Sequence, residues 1–361
     1  MKIHHDQFVT AGTHDLALDP DESTFVRSSL TNLRGGRSLS EDDAARMMSL
    51  ILTERIGQEE LVCYLELLAA KGASADEVVG SARALRRTLT PLDVPFDVMD
   101  TCGTGGDRSA TFNISTVTAL VTAAAGQPVA KHGNHSSSGG VGSADVMEAL
   151  GLSLDPGIDS LIDSLHRHRF AFLFAPRFRA KAAQVGEARR RVRGPTLFNL
   201  IGPLCSPARP AFQVIGTFSE SVARILAEAV LRLDTRRTFV VAGPGGVDEL
   251  IPLDSNIVFE VVSGEIQRHV LRAEQAGVQM CDLDALRGGD AETNARIATR
   301  ILAGQRGAPR DAVVMNAGLA LLVAGRAESL REGCEQCASV IDRGTARDLL
   351  EALRNGSGAS G

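Results

Sequence analysis

A chain of 361 residues, 44% hydrophobic and with a formal net charge of −6, can bury a large core and exceeds the usual length of a single domain. It has no apolar run of about eighteen residues and no apolar h-region at its N-terminus, so neither a membrane span nor a signal peptide is expected and the cytoplasm follows by default. The acidic balance argues against a nucleic-acid binder, which needs a basic face, although Arg189-Arg190-Arg191 with Arg193 would form a local patch that salt-dependent DNA binding would reveal.

In chain order, residues 1–28 read as a poorly ordered N-terminal extension. Ser38 to Asp43 reads as a helix start, with serine caps and early acids, and residues 44–85 continue with helical periodicity broken at Gly57 and Gly72. A small α-helical domain over 29–93 is expected. Within it Leu61, Val62, Tyr64, Leu65, Leu67 and Leu68 crowd one helix, which reads as core or as the contact of a homodimer. From Phe96 onward short strands alternate with helical patterns at the spacing of βαβ units. The larger domain is therefore expected to be α/β, built on a mainly parallel central sheet.

Two glycine-rich turns dominate that larger domain. The first, Asp100-Thr-Cys-Gly-Thr-Gly-Gly-Asp107, follows a strand pattern ending at Phe96–Met99 and precedes Asn113, Ser115 and Thr116, which open the apolar run 117–125. Gly103, Gly105 and Gly106 allow positive φ and close approach, so backbone N–H groups can face a phosphate at a helix N-terminus. The glycine spacing is neither a Walker A loop nor a dinucleotide fingerprint. Taken alone the turn is as readily structural as ligand-binding. The second follows the strand pattern 128–130 with Lys131, His132, Gly133 and Asn134, then Ser136, Ser137, Ser138 and several glycines up to Ser143. Composition alone reads it as a flexible serine-glycine loop. Two such loops after consecutive strands favour a phosphorylated ligand instead, because strand ends of an open parallel sheet converge on one crevice.

A third strand pattern, 238–241, leads to Gly243-Pro-Gly-Gly-Val-Asp248-Glu249. Adjacent carboxylates beside a phosphate site suit Mg²⁺, while the bland alternative is two acids in the first turn of a helix. Six scattered cysteines read as reduced thiols, with Cys334 and Cys337 one helical turn apart. Residues 355–361 read as a flexible tail.

The motifs DTCGTGGD, NIST, KHGN, GSADVMEALG, FLFAP, PTLFNLIGPL, GVDEL and LRGGD, in this order between about Leu30 and Leu353, resemble those of the anthranilate phosphoribosyltransferases, which belong to one superfamily with the pyrimidine nucleoside phosphorylases. The resemblance implies Mg²⁺-dependent transfer of a phosphoribosyl group from 5-phosphoribosyl 1-diphosphate (PRPP) to anthranilate in tryptophan biosynthesis. It implies a return segment near 186–206 that rejoins the helical domain, with 94–185 and 207–354 forming the α/β domain. By motif position Gly103, Gly105, Gly106, Asp107, Asn113, Ser115, Thr116, Lys131 and Ser143 hold PRPP. Gly103, His132, Asn134, Arg179 and Arg189 face the acceptor. Ser115 and Glu249, with Asp248 beside the latter, hold two Mg²⁺ ions. No acid or base catalyst is implied; Lys131, Asn113 and Arg189 act by positioning.

The sequence departs from the family pattern mainly in the acceptor half. His135 stands where arginine is usual, Arg179 where histidine is usual, Gly139 and Gly140 replace serine and lysine, Arg108 replaces glycine, and Ala242 replaces histidine. A phosphoribosyltransferase of specialised metabolism with another aromatic acceptor is therefore the alternative expectation.

Overall fold

Four helices open the chain in the computed structural model, which describes residues 18–106, 109–136, 140–179 and 183–357. They are α1 (Pro20–Arg34), α2 (Glu41–Leu52), α3 (Gln58–Lys71) and α4 (Ala75–Arg86). Their starts are encoded locally. Asp19 and Glu22 form a capping box on α1, the Ser40 hydroxyl accepts from the Asp43 N–H, and Ser74 pairs with Glu77 at the head of α4. Gly57 and Gly72 bound α3, where the periodicity breaks. The expectation of a poorly ordered 1–28 is corrected from Pro20 on: Val26, Leu30 and Leu33 recur at helical spacing and are buried, which fixes α1 to the bundle. Residues 1–17 lie outside the described residues. Leu61, Val62, Tyr64, Leu65 and Leu68 of α3 are buried within the protomer, so this part of the apolar crowd is core.

A seven-stranded sheet follows, with order β3-β2-β1-β4-β5-β6-β7. The strands are β1 (Met99–Gly103), β2 (Val129–Gly133), β3 (Phe170–Phe174), β4 (Phe212–Thr217), β5 (Arg237–Ala242), β6 (Asn256–Val262) and β7 (Glu265–Leu271). The first five run parallel, β6 runs antiparallel to β5, and β7 runs antiparallel to β6. Near-continuous apolar runs such as Phe170-Ala-Phe-Leu-Phe174 match strands covered on both faces. The intervening helices are α5 (Ile114–Ala124), α6 (Ser143–Ala149), α7 (Ile158–His168), α8 (Ala183–Arg191), α9 (Leu197–Ile201) and α10 (Glu220–Val230). After the sheet come α11 (Ala273–Ala276), α12 (Ala291–Leu302), α13 (Ala308–Val323), α14 (Leu330–Asp342) and α15 (Thr345–Ser357). The tail expected from 355 is thus helical to Ser357. Cys334 and Cys337 sit one turn apart on α14, buried and reduced.

One core joins α5 and α12 to α15 to one face of the sheet; a second runs from the helical bundle to Ile215, Val240, Ala242 and Phe259 on the opposite face, and a smaller third lies around Leu161, Leu165, Ala171 and Leu173. Between β3 and β4 the chain goes back to the bundle. The Gln184 side chain donates to the Ile56 carbonyl at 2.5 Å, and Arg86 Nε donates to the Leu204 carbonyl at 2.6 Å. No helix among the described residues is long and apolar enough to cross a membrane.

Strand boundaries differ from the sequence reading in a consistent way. The pattern ends the first strand at Met99, yet β1 begins there and pairs β4 from Met99 with Phe212 to Gly103 with Gly216. The second strand likewise extends to include Lys131 and His132. A glycine that read as loop is a strand residue approached by a third segment: a Cβ on Gly103 would lie 2.4 Å from Asp248 Oδ2.

Candidate active site

Strand order reverses between β1 and β4, and in such sheets ligands bind outside the carboxyl ends of the strands at that point. A small pocket opens there, lined by Thr101, Cys102 and Gly103 of β1, Ser115 and Thr118 of α5, Val214 and Gly216 of β4, Val241 of β5, and Asp248, Glu249 and Asn316.

The first glycine turn is held from three sides. The Thr104 N–H donates to the Gly216 carbonyl at 2.8 Å, the Thr104 carbonyl accepts from Asn199 Nδ2 at 3.1 Å, and the Gly105 N–H donates to Asp248 Oδ2 at 3.1 Å. Gly105 and Gly106 adopt φ of 60° and 80°, the left-handed region expected of them. Gly103 serves differently. Its Cβ would stand 2.4 Å from Asp248 Oδ2, so only glycine lets the carboxylate lie against the strand.

Asp248 and Glu249 follow a short turn at Pro244–Gly246 and lie in a loop, so the alternative of two acids in a first helical turn is not what forms. Asn316, buried on α13, fixes the loop by accepting from the Leu250 N–H at 3.0 Å and donating to its carbonyl at 2.7 Å. The structure thus brings Ser115, Asp248 and Glu249, expected at the metal, into one pocket. A hydroxyl and two carboxylates are the hard oxygen donors that suit Mg²⁺.

Lys131 is 1% exposed and lies beneath the turn, donating to the Thr101 carbonyl at 2.5 Å with Ser115 Oγ at 3.5 Å. Asn113 ties neighbouring segments: Nδ2 donates to the Val141 carbonyl at 3.0 Å and Oδ1 accepts from Asn294 at 2.8 Å. Asn294 also accepts from the Gly289 N–H at 2.8 Å, which draws the LRGGD segment onto the start of α5. Ser143 heads α6 against Gly133, and the Asn134 carbonyl accepts from the Ala144 N–H at 3.2 Å. Thr116, expected at PRPP, is fully buried and does not line the pocket. Asp107 lies outside the described residues, as do Arg108, Ser137, Ser138 and Gly139.

His132, Arg179 and Arg189, expected at the acceptor, form a basic cluster at the return segment. Burial, with the nearby charges of Arg179 and Lys131, pushes the His132 imidazole down to about 4, and its ring lies beside the Gly202 backbone. Arg189 is held below its usual value by burial and by Arg179, and burial also lowers Arg179. The Arg189 guanidinium donates to Asn199 Oδ1 at 3.4 Å and lies 5.9 Å from the centre of the Phe198 ring. His135 is exposed, with Nδ1 2.6 Å from Asp145 Oδ1.

Sequence reasoning missed Asp100, Asn199 and Asn316 as side chains that shape the pocket. The strings DTCGTGGD and PTLFNLIGPL contain the first two; Asn316, inside an apolar helix, is the one polar signal that could have pointed to the third.

Comparison with known proteins follows this geometry. Residues 27–89 match the model of the helical bundle domain of a glycosyl transferase family, and residues 96–347 match that of its a/b domain. A protein of Pelotomaculum thermopropionicum named anthranilate phosphoribosyltransferase is 40% identical over 92% of this chain and 97% of its own. The crystal structure of anthranilate phosphoribosyltransferase from Thermus thermophilus superposes with a TM-score of 0.85 at 36% identity, covering 92% of this chain and 99% of that one. The enzyme of that name from Saccharomyces cerevisiae, in complex with PRPP and Mg, gives 0.84 at 25% identity over 93% and 98%.

Proposed function

The chain belongs to the anthranilate phosphoribosyltransferase family of glycosyl transferases, and we propose that it transfers the phosphoribosyl group of PRPP to anthranilate, releasing diphosphate, as a cytoplasmic, Mg²⁺-dependent step of tryptophan biosynthesis. The bond from the Gly105 N–H to Asp248 carries this reading, because it joins a phosphate-type glycine turn to a carboxylate pair within one pocket.

The amine nitrogen attacks the anomeric carbon as its bond to diphosphate breaks, so positive charge grows on the ribose and negative charge on the leaving group. Catalysis then needs accurate placement and stabilisation of the departing anion. Mg²⁺ bound through Ser115 and Glu249, with Asp248 beside the latter, would neutralise diphosphate charge at two positions. The 103–106 turn, with Asn113 and Ser143 near it and Asp107 by its motif position, holds the donor, and Lys131 supplies a cation below the turn. His132 stays neutral and presents an uncharged donor or acceptor to the incoming aromatic amine. Arg189 and Arg179 oppose each other electrostatically, and an acceptor carboxylate relieves that repulsion while accepting a charge-assisted bond. Residues 29–93 with 186–206 make the helical half of the cleft, and two copies pair through that half.

The Arg179 guanidinium beside His132 also favours a second reading, an aromatic acid other than anthranilate as acceptor. Incubation with PRPP, Mg²⁺ and anthranilate, following anthranilate fluorescence and diphosphate release, separates the two. Turnover establishes the tryptophan-pathway activity; PRPP binding without anthranilate consumption directs the search to other aromatic acceptors. Asp248→Ala with Glu249→Ala should abolish turnover while the melting temperature falls by only several degrees, and an unchanged rate would remove both from the mechanism.

A further inference from the structure

Backbone pairing between β1 and β2 stops after one register pair, Met99 with Val129, whereas β1 pairs β4, and β2 pairs β3, over their full lengths. The Met99 N–H donates to the Pro128 carbonyl, which sets the ladder so that its following rungs would run from the Thr101 N–H to the Ala130 carbonyl and from the His132 N–H to the Thr101 carbonyl. The register does not continue into these rungs. The His132 N–H donates to Asp100 Oδ1 at 3.1 Å, and the Thr101 carbonyl accepts from the Lys131 ammonium at 2.5 Å. Each strand thus caps the other's backbone with one of its own side chains.

The two capping groups are opposite in charge and sealed from solvent, Asp100 at 0% and Lys131 at 1% exposure. The second Asp100 oxygen has no hydrogen-bond partner of good geometry, and the ammonium charge across the gap is the largest influence that offsets its burial. Burial drives this carboxyl toward its neutral form, and Lys131 with the His132 and Thr101 N–H groups opposes it only in part, so it is raised to about 7. Two buried charges that form no salt bridge with each other are a poor way to stabilise a sheet that could form another backbone rung. What they achieve is a controlled splay: the carboxyl ends of β1 and β2, which lead into the two glycine-rich loops, are held apart.

We infer that Asp100 is a positioning residue, which with Lys131 forms a wedge between β1 and β2 and thereby fixes the His132 ring and the Lys131 ammonium relative to the 103–106 turn. Asp100 touches neither substrate. It acts through His132 toward the acceptor and through Lys131 toward the donor, and this assignment of roles rests on the phosphoribosyltransferase reading.

The test uses the full chain and two variants. Asp100→Asn keeps a side-chain oxygen for the His132 N–H and removes the charge; Asp100→Ala removes both. Hydrogen exchange is read on peptides covering 129–136, KM for anthranilate in steady state, and PRPP binding by calorimetry with Mg²⁺. Asp100→Ala should speed exchange at His132 and raise the acceptor KM about tenfold, in line with a displaced contact. Asp100→Asn should keep His132 protected and the acceptor KM within about threefold, while PRPP binding weakens in both variants. An acceptor KM equally impaired in both variants would overturn the inference, since only a generic buried charge would then matter. Unchanged His132 exchange in Asp100→Ala would overturn it also. If Asp100→Ala fails to fold, Asp100→Asn decides alone: faster His132 exchange, or PRPP binding equal to wild type, refutes the wedge. Should wild-type protein leave anthranilate untouched, that outcome sinks the acceptor assignment only, and the exchange and PRPP arms still decide the wedge.

Discussion

Adding one methyl group at Gly103 is the sharpest perturbation of the pocket. The Cβ of Gly103→Ala would lie 2.4 Å from Asp248 Oδ2 and 3.1 Å from its Cγ, whereas non-bonded heavy atoms settle at about 3.5 Å or more. The carboxylate must therefore withdraw by about 1 Å. Its backbone cannot follow, because the Asp248 carbonyl already occupies the space a side chain at Gly216 would need. The side chain has to rotate, and in doing so gives up the 3.1 Å bond from the Gly105 N–H. Loss of a hydrogen bond to a charged acceptor costs about 1.5–3 kcal/mol. At roughly 2–4 °C per kcal/mol for chains of 150–250 residues, the melting temperature should fall by only several degrees. Activity should fall much further, since misplacing a binding group by about 1 Å can cost on the order of a hundredfold in rate. The assay is kcat/KM for PRPP at several Mg²⁺ concentrations beside a thermal melt. A folded Gly103→Ala protein within twofold of wild type would refute the argument that Asp248 must stay against β1.

Two further outcomes follow from the acceptor cluster. Arg189→Ala should raise KM for anthranilate about tenfold or more, the worth of a charge-assisted contact, while KM for PRPP stays within about twofold; a defect confined to PRPP would contradict the placement. His132, held down to about 4 from 6.5, carries its charge far less readily when folded. A depressed folded value means that this group's stabilising contribution is complete above 6.5 and is lost as pH falls toward 4. Melting temperatures between pH 7 and 4 should therefore decline more steeply for wild type than for His132→Gln, and parallel curves would place His132 in a solvated setting.

How far the site could be read from the sequence depends on how far apart its partners lie. Ser40, Ser74 and the glycine turns declare themselves because cap and capped group are within three residues, or because positive φ demands glycine. Ser115, Asp248 and Glu249 could be assembled because each follows a strand pattern and parallel strands end on one edge. Asp100, Asn199 and Asn316 could not. Their bonds reach across 32, 95 and 66 residues, and no periodicity encodes which distant backbone group a buried polar side chain will meet. Gly103 misled for a related reason: a glycine weakens strand propensity, so the strand was expected to stop before it, while the crowding that requires glycine comes from Asp248.

The departures from the family pattern acquire different weights once placed in space. His135 is exposed, paired with Asp145 at 2.6 Å and edge-on to Phe174 at 5.1 Å between ring centres, so its interactions are satisfied by the start of α6 and its neighbouring strand. A charge there is screened by solvent. Arg179 is half-buried beside His132 and Arg189, where burial strengthens every charge interaction, and it lowers the affinity of both for a proton. It is therefore the position at which this sequence changes the electrostatic demand on an acceptor. Of the two substitutions, reverting Arg179 to histidine is the one that should alter discrimination among aromatic acids, and reverting His135 to arginine should leave it unchanged.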